Sequence, residues 1–265
     1  MELRAATFNL RTDTARDGEH VWPHRAHRVA EMIRRLDALV VGTQEASFAM
    51  LSDLSERLPD YRWIGQGRRG GTQDEFSAIL YRPEAVEAEE AGDFWLSETP
   101  EQPGSISWNS RAPRMCTWVR CQSKDAAGRR FLVYNTHLDH VSDDARLKGI
   151  ELICQRVQGR RLEVKLPALL MGDLNSGEAS RVVRYLRGDG AAGRGPRLVD
   201  AFSAIAGGRI GATFHGFRGG SEGEPIDYVF GTDDVEFAST QVRRDQIDGG
   251  YPSDHYPVVT RARFM

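Results

Sequence analysis

The sequence predicts an α/β protein in which β-sheet is packed between helices. Short apolar runs of strand length recur along the chain, and most of them end near Gly, Asn, Asp or Pro. Segments with helical periodicity lie between some of these runs, and interspersed strands and helices are typical of layered α/β folds. No tandem repeat or linker divides the 265 residues, so we expect one domain over residues 1–265.

The expected strands are the apolar runs at 3–8, 38–42, 78–81, 131–135, 168–171, 226–230 and 256–260. Three helices are indicated by apolar residues on one face, over 26–36, 48–58 and 147–157. Ser142 precedes two acidic residues, Asp143 and Asp144, and is the expected N-cap of the third helix. The glycine-rich segments 188–195 and 216–223 are expected to be loops.

Composition narrows the function classes. A net charge of −3 gives no general attraction to nucleic acid, and no apolar run approaches the roughly 20 residues of a membrane span. The N-terminal segment lacks the pattern of a secretory signal, so we expect a cytoplasmic protein. The three cysteines, Cys116, Cys121 and Cys154, lack zinc spacing and lie among apolar residues, which favours reduced core thiols.

Polar residues that could bind a metal or move a proton lie at or just beyond the ends of the apolar runs. Ligand sites in α/β proteins tend to lie at such positions. Any one of them also fits a turn cap or a hydrogen-bonded structural residue. Together they supply the carboxylates, amides and imidazoles that phosphoryl transfer to water requires. These residues are Asn9, Glu45, His137, Asp173, Asn175, Asp227, Asp254 and His255.

Magnesium fits this set better than zinc. Mg²⁺ prefers oxygen ligands, keeps several waters and needs one or two protein carboxylates, which Glu45 and Asp254 would supply. Asp173 and Asn175 are two residues apart and could face one phosphate, whereas the neighbours Asp254 and His255 would diverge and take separate roles.

The ordered motifs resemble the endonuclease/exonuclease/phosphatase superfamily, whose fold is DNase I-like. They are Phe-Asn9-Leu-Arg, Gln-Glu45, Asn-Thr-His137, Gly-Asp173-Leu-Asn175, Ile-Asp227-Tyr and Ser-Asp254-His255. Further stretches, including Trp22-Pro-His-Arg, Phe94-Trp-Leu-Ser-Glu-Thr-Pro, Thr136-His-Leu-Asp-His-Val and Thr213-Phe-His-Gly-Phe, resemble a bacterial branch with some members that act on sugar phosphates.

The resemblance implies a four-layer α/β/β/α sandwich, two mixed sheets flanked by helices, with the site at one end. It implies that Glu45, with Asn9 and Asp254, holds Mg²⁺ or Mn²⁺, and that Asp173 orients or deprotonates the attacking water. Asn175 and His137 would bind phosphoryl oxygens. Asp227 would orient His255, whose imidazolium would stabilise the developing charge. Arg114 is a candidate second cation for the phosphate.

Glu75 and Asp139 each allow two interpretations. Glu75 could approach the metal, directly or through water, or form a surface ion pair. Asp139 could shape a turn or support the site residues. We also expect the segment from Pro83 to Arg114 to pack beside the site.

Three functions stay open at this stage. A phosphatase or phosphodiesterase for a small phosphate ester is favoured by the charge and the branch resemblance. A DNA or RNA nuclease would need a basic track beside the site, and a non-catalytic binding protein would keep only the fold. We expect a small phosphorylated substrate rather than nucleic acid, and we see no sign of an obligate protein partner.

Overall fold

A computed structural model describes residues 2–189, 196–205 and 210–265. Within these ranges the strands are β1 Glu2–Asn9, β2 Val40–Gln44, β3 Arg62–Ile64, β4 Ile79–Tyr81, β5 Val86–Trp95, β6 Met115–Ser123, β7 Arg130–His137, β8 Ala168–Asp173, β9 Val199–Asp200, β10 Asp227–Gly231, β11 Val235–Val242 and β12 Val258–Phe264. The α-helices are α1 Trp22–Leu36, α2 Phe48–Arg57, α3 Asp143–Val164 and α4 Arg181–Leu186.

The strands form two six-stranded mixed sheets, which confirms the predicted sandwich. The first sheet has the order β11-β12-β1-β2-β4-β3, and the second has the order β5-β6-β7-β8-β10-β9. Each has one parallel pair near its centre, β1 with β2 and β7 with β8, and its other pairs are antiparallel.

Three apolar cores separate the four layers. The core between the sheets includes Leu3, Val40, Val133 and Met171. The helices α1 and α2 cover the outer face of the first sheet, and α3 and α4 cover that of the second. Because each helix has one apolar stripe, each can bury that stripe against one sheet while its other face meets water.

Local signals explain where the helices begin and end. Pro23 lies in the first turn of α1, where its missing N–H costs nothing, and Asp37 ends that helix in a left-handed conformation. The predicted cap of α3 is confirmed, since the Ser142 hydroxyl accepts a hydrogen bond from the Ala145 N–H.

All seven predicted strands and three predicted helices are present, but the sequence reasoning missed several strands. The long ones are β5, β6 and β11, of which β5 and β11 are sheet edges. The segment from Pro83 to Arg114 therefore contains a ten-residue edge strand, β5, followed by a loop. Residues 216–223 form the expected loop, whereas 190–195 of the other glycine-rich segment lie outside the described residues.

A polar bridge joins the two sheets beneath their shared end. Gln44 Nε2 donates to Asn135 Oδ1 over 2.7 Å, and Asn135 Nδ2 donates to the carbonyls of Thr43 and Ala78. Since buried polar groups are costly unless they are paired, this bridge fixes how the strand ends face each other. Among the described helices, none combines the length and apolar character that crossing a bilayer requires.

Candidate active site

The predicted residues converge where strands of the two sheets end. Asn9 ends β1 and lies beside Gln44 at the end of β2, with Glu45 next along the chain. In the second sheet, the register places Asp173 at the end of β8 between His137 of β7 and Asp227 of β10. The segment before β12 adds Asp254 and His255. The carboxyl ends of the parallel strands and the adjoining loops thus form one polar cluster.

Asp173 is the centre of this cluster. Its Oδ1 accepts the Asn175 N–H at 2.9 Å, and its Oδ2 accepts Asn9 Nδ2 at 3.0 Å. The same Oδ2 lies 3.5 Å from His137 Nε2 and 3.8 Å from His255 Nε2. Asn9 Nδ2 also donates to Glu45 Oε1 over 3.0 Å, so one amide orients carboxylates from both sheets.

The glycine before Asp173 is required by a close approach between strands. A Cβ at Gly172 would lie 1.9 Å from the Thr136 carbonyl oxygen, which no side chain could accommodate, and its φ of +149° is one that L-residues rarely adopt. Gly172 therefore lets β8 lie close enough to β7 for Asp173 to reach His137.

His255 is built to carry a positive charge. Its Nδ1 lies 2.9 Å from Asp227 Oδ2, and both side chains are buried. Burial opposes the charge, yet the carboxylates of Asp227, Asp173 and Asp254 outweigh it and raise the pKa of His255 to about 10. Because Nδ1 is occupied by Asp227, Nε2 is the nitrogen that faces Asp173 and the centre of the site.

Asp173 has the opposite tendency. Burial, together with the charge of Asp227, raises the pKa of Asp173 to about 7, against the pull of His255. Glu45, whose side chain is 15% exposed, differs: desolvation raises its pKa, but the Asn9 amide, the charge of His255 and the Thr12 N–H together lower it below the ordinary value. At neutral pH the site therefore holds an ionised carboxylate, Glu45, beside a second carboxylate, Asp173, that can readily gain or lose a proton.

Glu45 and Asp254 are carboxylates that could hold a divalent cation. The Arg11 guanidinium lies 3.9 Å from Glu45 Oε2 and 3.7 Å from Asp254 Oδ2, so both carboxylates face a common region that accommodates positive charge. One ligand atom from each of Glu45, His137 and Asp173 also lies within 4.8 Å of the others. This oxygen-rich donor set suits Mg²⁺ or Mn²⁺.

His137 and Asn175 contact each other. Asn175 Nδ2 donates to the Leu138 carbonyl over 3.0 Å and lies 3.1 Å from His137 Nε2. Burial, and next the charge of Arg114, hold the pKa of His137 well below its usual range, so its imidazole is neutral. A phosphoryl oxygen could replace the contact between these two side chains and accept the freed N–H of Asn175.

Arg114 lies further from Asp173, beside a turn organised by Asp139. The Asp139 carboxylate accepts the N–H groups of Val141, Ser142 and Arg111, and its Oδ2 is 3.6 Å from Arg114 Nε. Asp139 therefore both shapes the turn and faces the arginine. The loop between β5 and β6 reaches this place through Arg111, so that part of the segment from Pro83 to Arg114 packs beside the site.

Glu75 forms an ion pair, but a half-buried one. Its Oε2 accepts Arg68 Nη1 at 2.8 Å, and its side chain is 21% exposed. Burial raises the pKa of Glu75 to about 7, although Arg68 opposes the shift. Glu75 also lies close enough to Glu45 for the charge of Glu45 to raise its pKa further.

Sequence reasoning missed the buried Arg25, which organises the loops that follow Asn9 and precede Asp254. Its guanidinium donates to the carbonyls of His20, Leu10, Arg11 and Pro252, and only 1% of the residue is exposed. The available signal was the stretch Trp22-Pro-His-Arg25. Arg11, in Phe8-Asn9-Leu-Arg, was missed in the same way.

Phe214 was also missed as a site residue. Its ring packs edge-on against His255, with centroids 5.1 Å apart, and yet it is 45% exposed. The next residue, His215, stacks on Tyr256, and its N–H donates to the Asp254 carbonyl. The stretch Thr213-Phe-His-Gly-Phe thus forms one wall of the site.

This fold and site define a family. The model of the endonuclease/exonuclease/phosphatase family matches residues 6–255, and the chain belongs to that family. Its members hydrolyse phosphoesters.

Solved structures agree over the whole chain. An endonuclease/exonuclease/phosphatase family protein from Bacteroides thetaiotaomicron is 31% identical, with a TM-score of 0.91 over 100% of this chain and 96% of that one. A mannosyl-6-phosphatase from the same species is 31% identical, with a TM-score of 0.90 over 99% of this chain and 100% of that one. Danio rerio TDP2 with a single-strand DNA product, 15% identical with a TM-score of 0.74 over 99% of each chain, shares the fold. No curated protein matches the chain significantly.

Proposed function

We propose that this protein is a Mg²⁺-dependent phosphoester hydrolase that acts on a small phosphate ester, such as a sugar phosphate. Mn²⁺ is the alternative metal. One observation carries the proposal. A proton acceptor, Asp173, and a cationic hydrogen-bond donor, His255, lie close together, with His255 Nε2 3.8 Å from Asp173 Oδ2.

Asp173 takes the proton of the attacking water. A general base works best when its pKa lies near the operating pH, and that of Asp173 is raised to about 7. Asn9 and the Asn175 N–H hold the carboxylate in place. Because these contacts leave it little freedom, the base is oriented before the substrate arrives.

His255 stabilises the negative charge that develops on the phosphoryl oxygens. Its Nδ1 donates to Asp227, so the cationic Nε2–H is directed toward the reacting group. Donors aimed at developing charge in a water-poor site lower the barrier, each by a factor of roughly 10² to 10³. Asn175 and His137 orient the phosphoryl group from the side of β7 and β8, and Arg114 adds a positive charge behind them.

Glu45 and Asp254 would hold the metal, and Asn9 would orient Glu45. The ion, when bound, would polarise a phosphoryl oxygen and stabilise the leaving oxygen. Glu45 is suited to this role because its pKa is lowered, so the carboxylate is ionised whenever Asp173 is active as a base.

A small substrate is favoured over nucleic acid by two facts. The chain carries a net charge of −3, and a 31% identical relative covering the chain is a mannosyl-6-phosphatase. The likeness to TDP2 supports a nuclease only through the shared fold, at 15% identity. A binding protein without activity is disfavoured because each expected catalytic position carries its residue.

The test is hydrolysis of sugar phosphates, nucleotides, an aryl phosphodiester, DNA and RNA by purified protein with Mg²⁺, Mn²⁺ or EDTA. We expect metal-dependent phosphate release from a small ester, abolished in Glu45→Ala. Glu89→Ala is the matched control, because Glu89 pairs with Arg130 at the start of β7, the strand end opposite His137. Strand cleavage that weakens as salt rises would instead establish a nuclease, and inactivity on every ester would refute the proposal.

A further inference from the structure

A narrow notch opens beside His137, and none of the steps above places a group in it. Its walls come from the loop between β3 and β4, which carries Arg68 and Glu75, and from the segment that leads into β6. The polar side chains lining it are Arg68, Glu75, Ser77, Arg114 and His137. The centre of a water-sized group can move within about 10 Å³ of this notch, so the notch has room for roughly one water molecule or one hydroxyl group.

The notch borders residues that would bind the phosphoryl group. His137 lines it on one side. On the other side lies Glu75, which is close enough to Glu45 for the charge of Glu45 to contribute to its raised pKa. A group bound in the notch is therefore close both to the residues proposed to bind the phosphoryl group and to Glu45, which would hold the metal.

The hydrogen-bonding groups of the notch match a hydroxyl. Arg114 is 6% exposed, and its Nε is buried without a hydrogen-bond partner among the described residues. Glu75 uses Oε2 for Arg68, whereas its Oε1 accepts no hydrogen bond from the part of the chain that the structure describes. A hydroxyl can accept from a guanidinium and donate to a carboxylate at once, so it would satisfy both groups.

Charge and size argue against a second phosphate. The guanidiniums of Arg68 and Arg114 are matched by three carboxylates, since Arg68 contacts Asp74 at 2.9 Å and Glu75 at 2.8 Å, and Arg114 lies 3.6 Å from Asp139. Above pH 7, where Glu75 is ionised, no excess positive charge remains for a dianion, and space for about one water molecule is too small for a phosphate.

We propose that this notch binds a hydroxyl group of the leaving alcohol and thereby makes the enzyme selective for phosphate esters of polyols such as sugars. The inference rests on the proposed function and deepens it. Glu75 is then a specificity residue that accepts a hydrogen bond from the substrate, and Arg68 holds its carboxylate in position.

The experiment compares kcat/KM for a hexose 6-phosphate with kcat/KM for p-nitrophenyl phosphate, whose leaving group has no additional hydroxyl. In Glu75→Gln the ratio of the two values should fall about 10- to 100-fold, mainly through KM for the sugar ester, as expected for losing a hydrogen bond to a charged group. Glu89→Gln, which removes a comparable ion-paired carboxylate at the far end of β7, should leave the ratio unchanged.

Deoxy analogues of the hexose phosphate identify the hydroxyl. The effect of Glu75→Gln should disappear for the one analogue that lacks the bound hydroxyl, because the two changes then remove the same interaction. Thermal unfolding checks that each variant is folded.

The outcomes separate the two proposals. Equal losses on the sugar and aryl esters, or additive effects for every deoxy analogue, would overturn the hydroxyl site while leaving the hydrolase intact. Preference for a hexose bisphosphate that depends on Arg68 would replace it with an anion site. A wild-type protein inactive on all phosphate esters would refute the hydrolase proposal, and the notch proposal with it.

Discussion

Asp227→Asn tests the electrostatic basis of the proposed mechanism most directly. Asp227 is fully buried, and its Oδ2 lies 2.9 Å from His255 Nδ1. The amide of Asn keeps the shape and an oxygen that can accept from Nδ1, so the imidazole retains its orientation. What changes is the charge, which acts on both His255 and Asp173.

The size of the effect follows from Coulomb's law. Opposite unit charges about 4 Å apart attract by roughly 4 kcal/mol at an effective dielectric constant of about 20. At about 1.4 kcal/mol per pKa unit, loss of this attraction lowers the pKa of His255 by about 3 units. The pKa of about 10 in the native protein would therefore fall to near neutrality. Since Asp227 also raises the pKa of Asp173, that pKa should fall as well.

Both limbs of the pH profile should consequently move to lower pH. In the native enzyme, kcat should rise as Asp173 loses its proton near pH 7 and fall as His255 loses its proton near pH 10. In Asp227→Asn the imidazolium is lost earlier, so the variant should be impaired at least about ten times more at pH 9 than at pH 6. NMR titration of the imidazole reports the same shift without turnover.

A pH-independent loss in Asp227→Asn would refute this reasoning, because it would mean that Asp227 acts through geometry alone. Asp200→Asn is the matched control. Asp200 is also a buried carboxylate, but it pairs with Arg187 instead of a site residue, so its removal should leave both limbs in place.

Three further predictions concern the catalytic pair, the buried Arg25 and the cysteines. Asp173→Asn and His255→Ala should each lower turnover by at least about 10²-fold in folded protein, and near-normal kcat in either would remove that residue from the mechanism. Arg25→Met leaves four loop carbonyls without their donor and should lower Tm by about 10 °C; calorimetry showing an unshifted Tm would contradict its organising role. Burial raises the pKa of all three cysteine thiols, so a thiol reagent should label none of them in the native protein and all of them after denaturation, and rapid native labelling would oppose this.

The central strands were predictable because they are apolar throughout and end in polar residues. β2 and β8 are fully buried along their length, which produces a continuous apolar run. β5 has the sequence VEAEEAGDFW and carries exposed acidic side chains at the sheet edge, so its pattern resembles that of a surface loop. Strand recognition therefore failed at the edge strands β5 and β11, and also at the interior strand β6, whose sequence MCTWVRCQS interrupts its apolar residues with polar ones.

The site residues were predictable from their position at strand ends, but their partners were not. The eight polar residues stand out because each interrupts, precedes or follows an apolar run. Arg25 gives no such signal. It lies within α1 among many arginines, and its importance comes from carbonyls as distant in sequence as Pro252. The pairing of Glu75 with Arg68 and the notch beside it likewise depend on how the loop between β3 and β4 folds back.

The backbone conformation at the site connects the positions of its residues with the contacts that they make. Arg11, Glu45 and Asn175 all adopt left-handed conformations, with φ of 56°, 64° and 46°, and such conformations cost about 1 kcal/mol or more for residues other than glycine. Hydrogen bonds from the site offset that cost, since Glu45 accepts from Asn9 and Thr12, and Asn175 donates its N–H to Asp173. The contacts that hold these loops in strained conformations are thus the ones that orient the proposed base and the metal-side carboxylate. Assembly of the site and closure of the loops are consequently one event, which local sequence patterns cannot reveal.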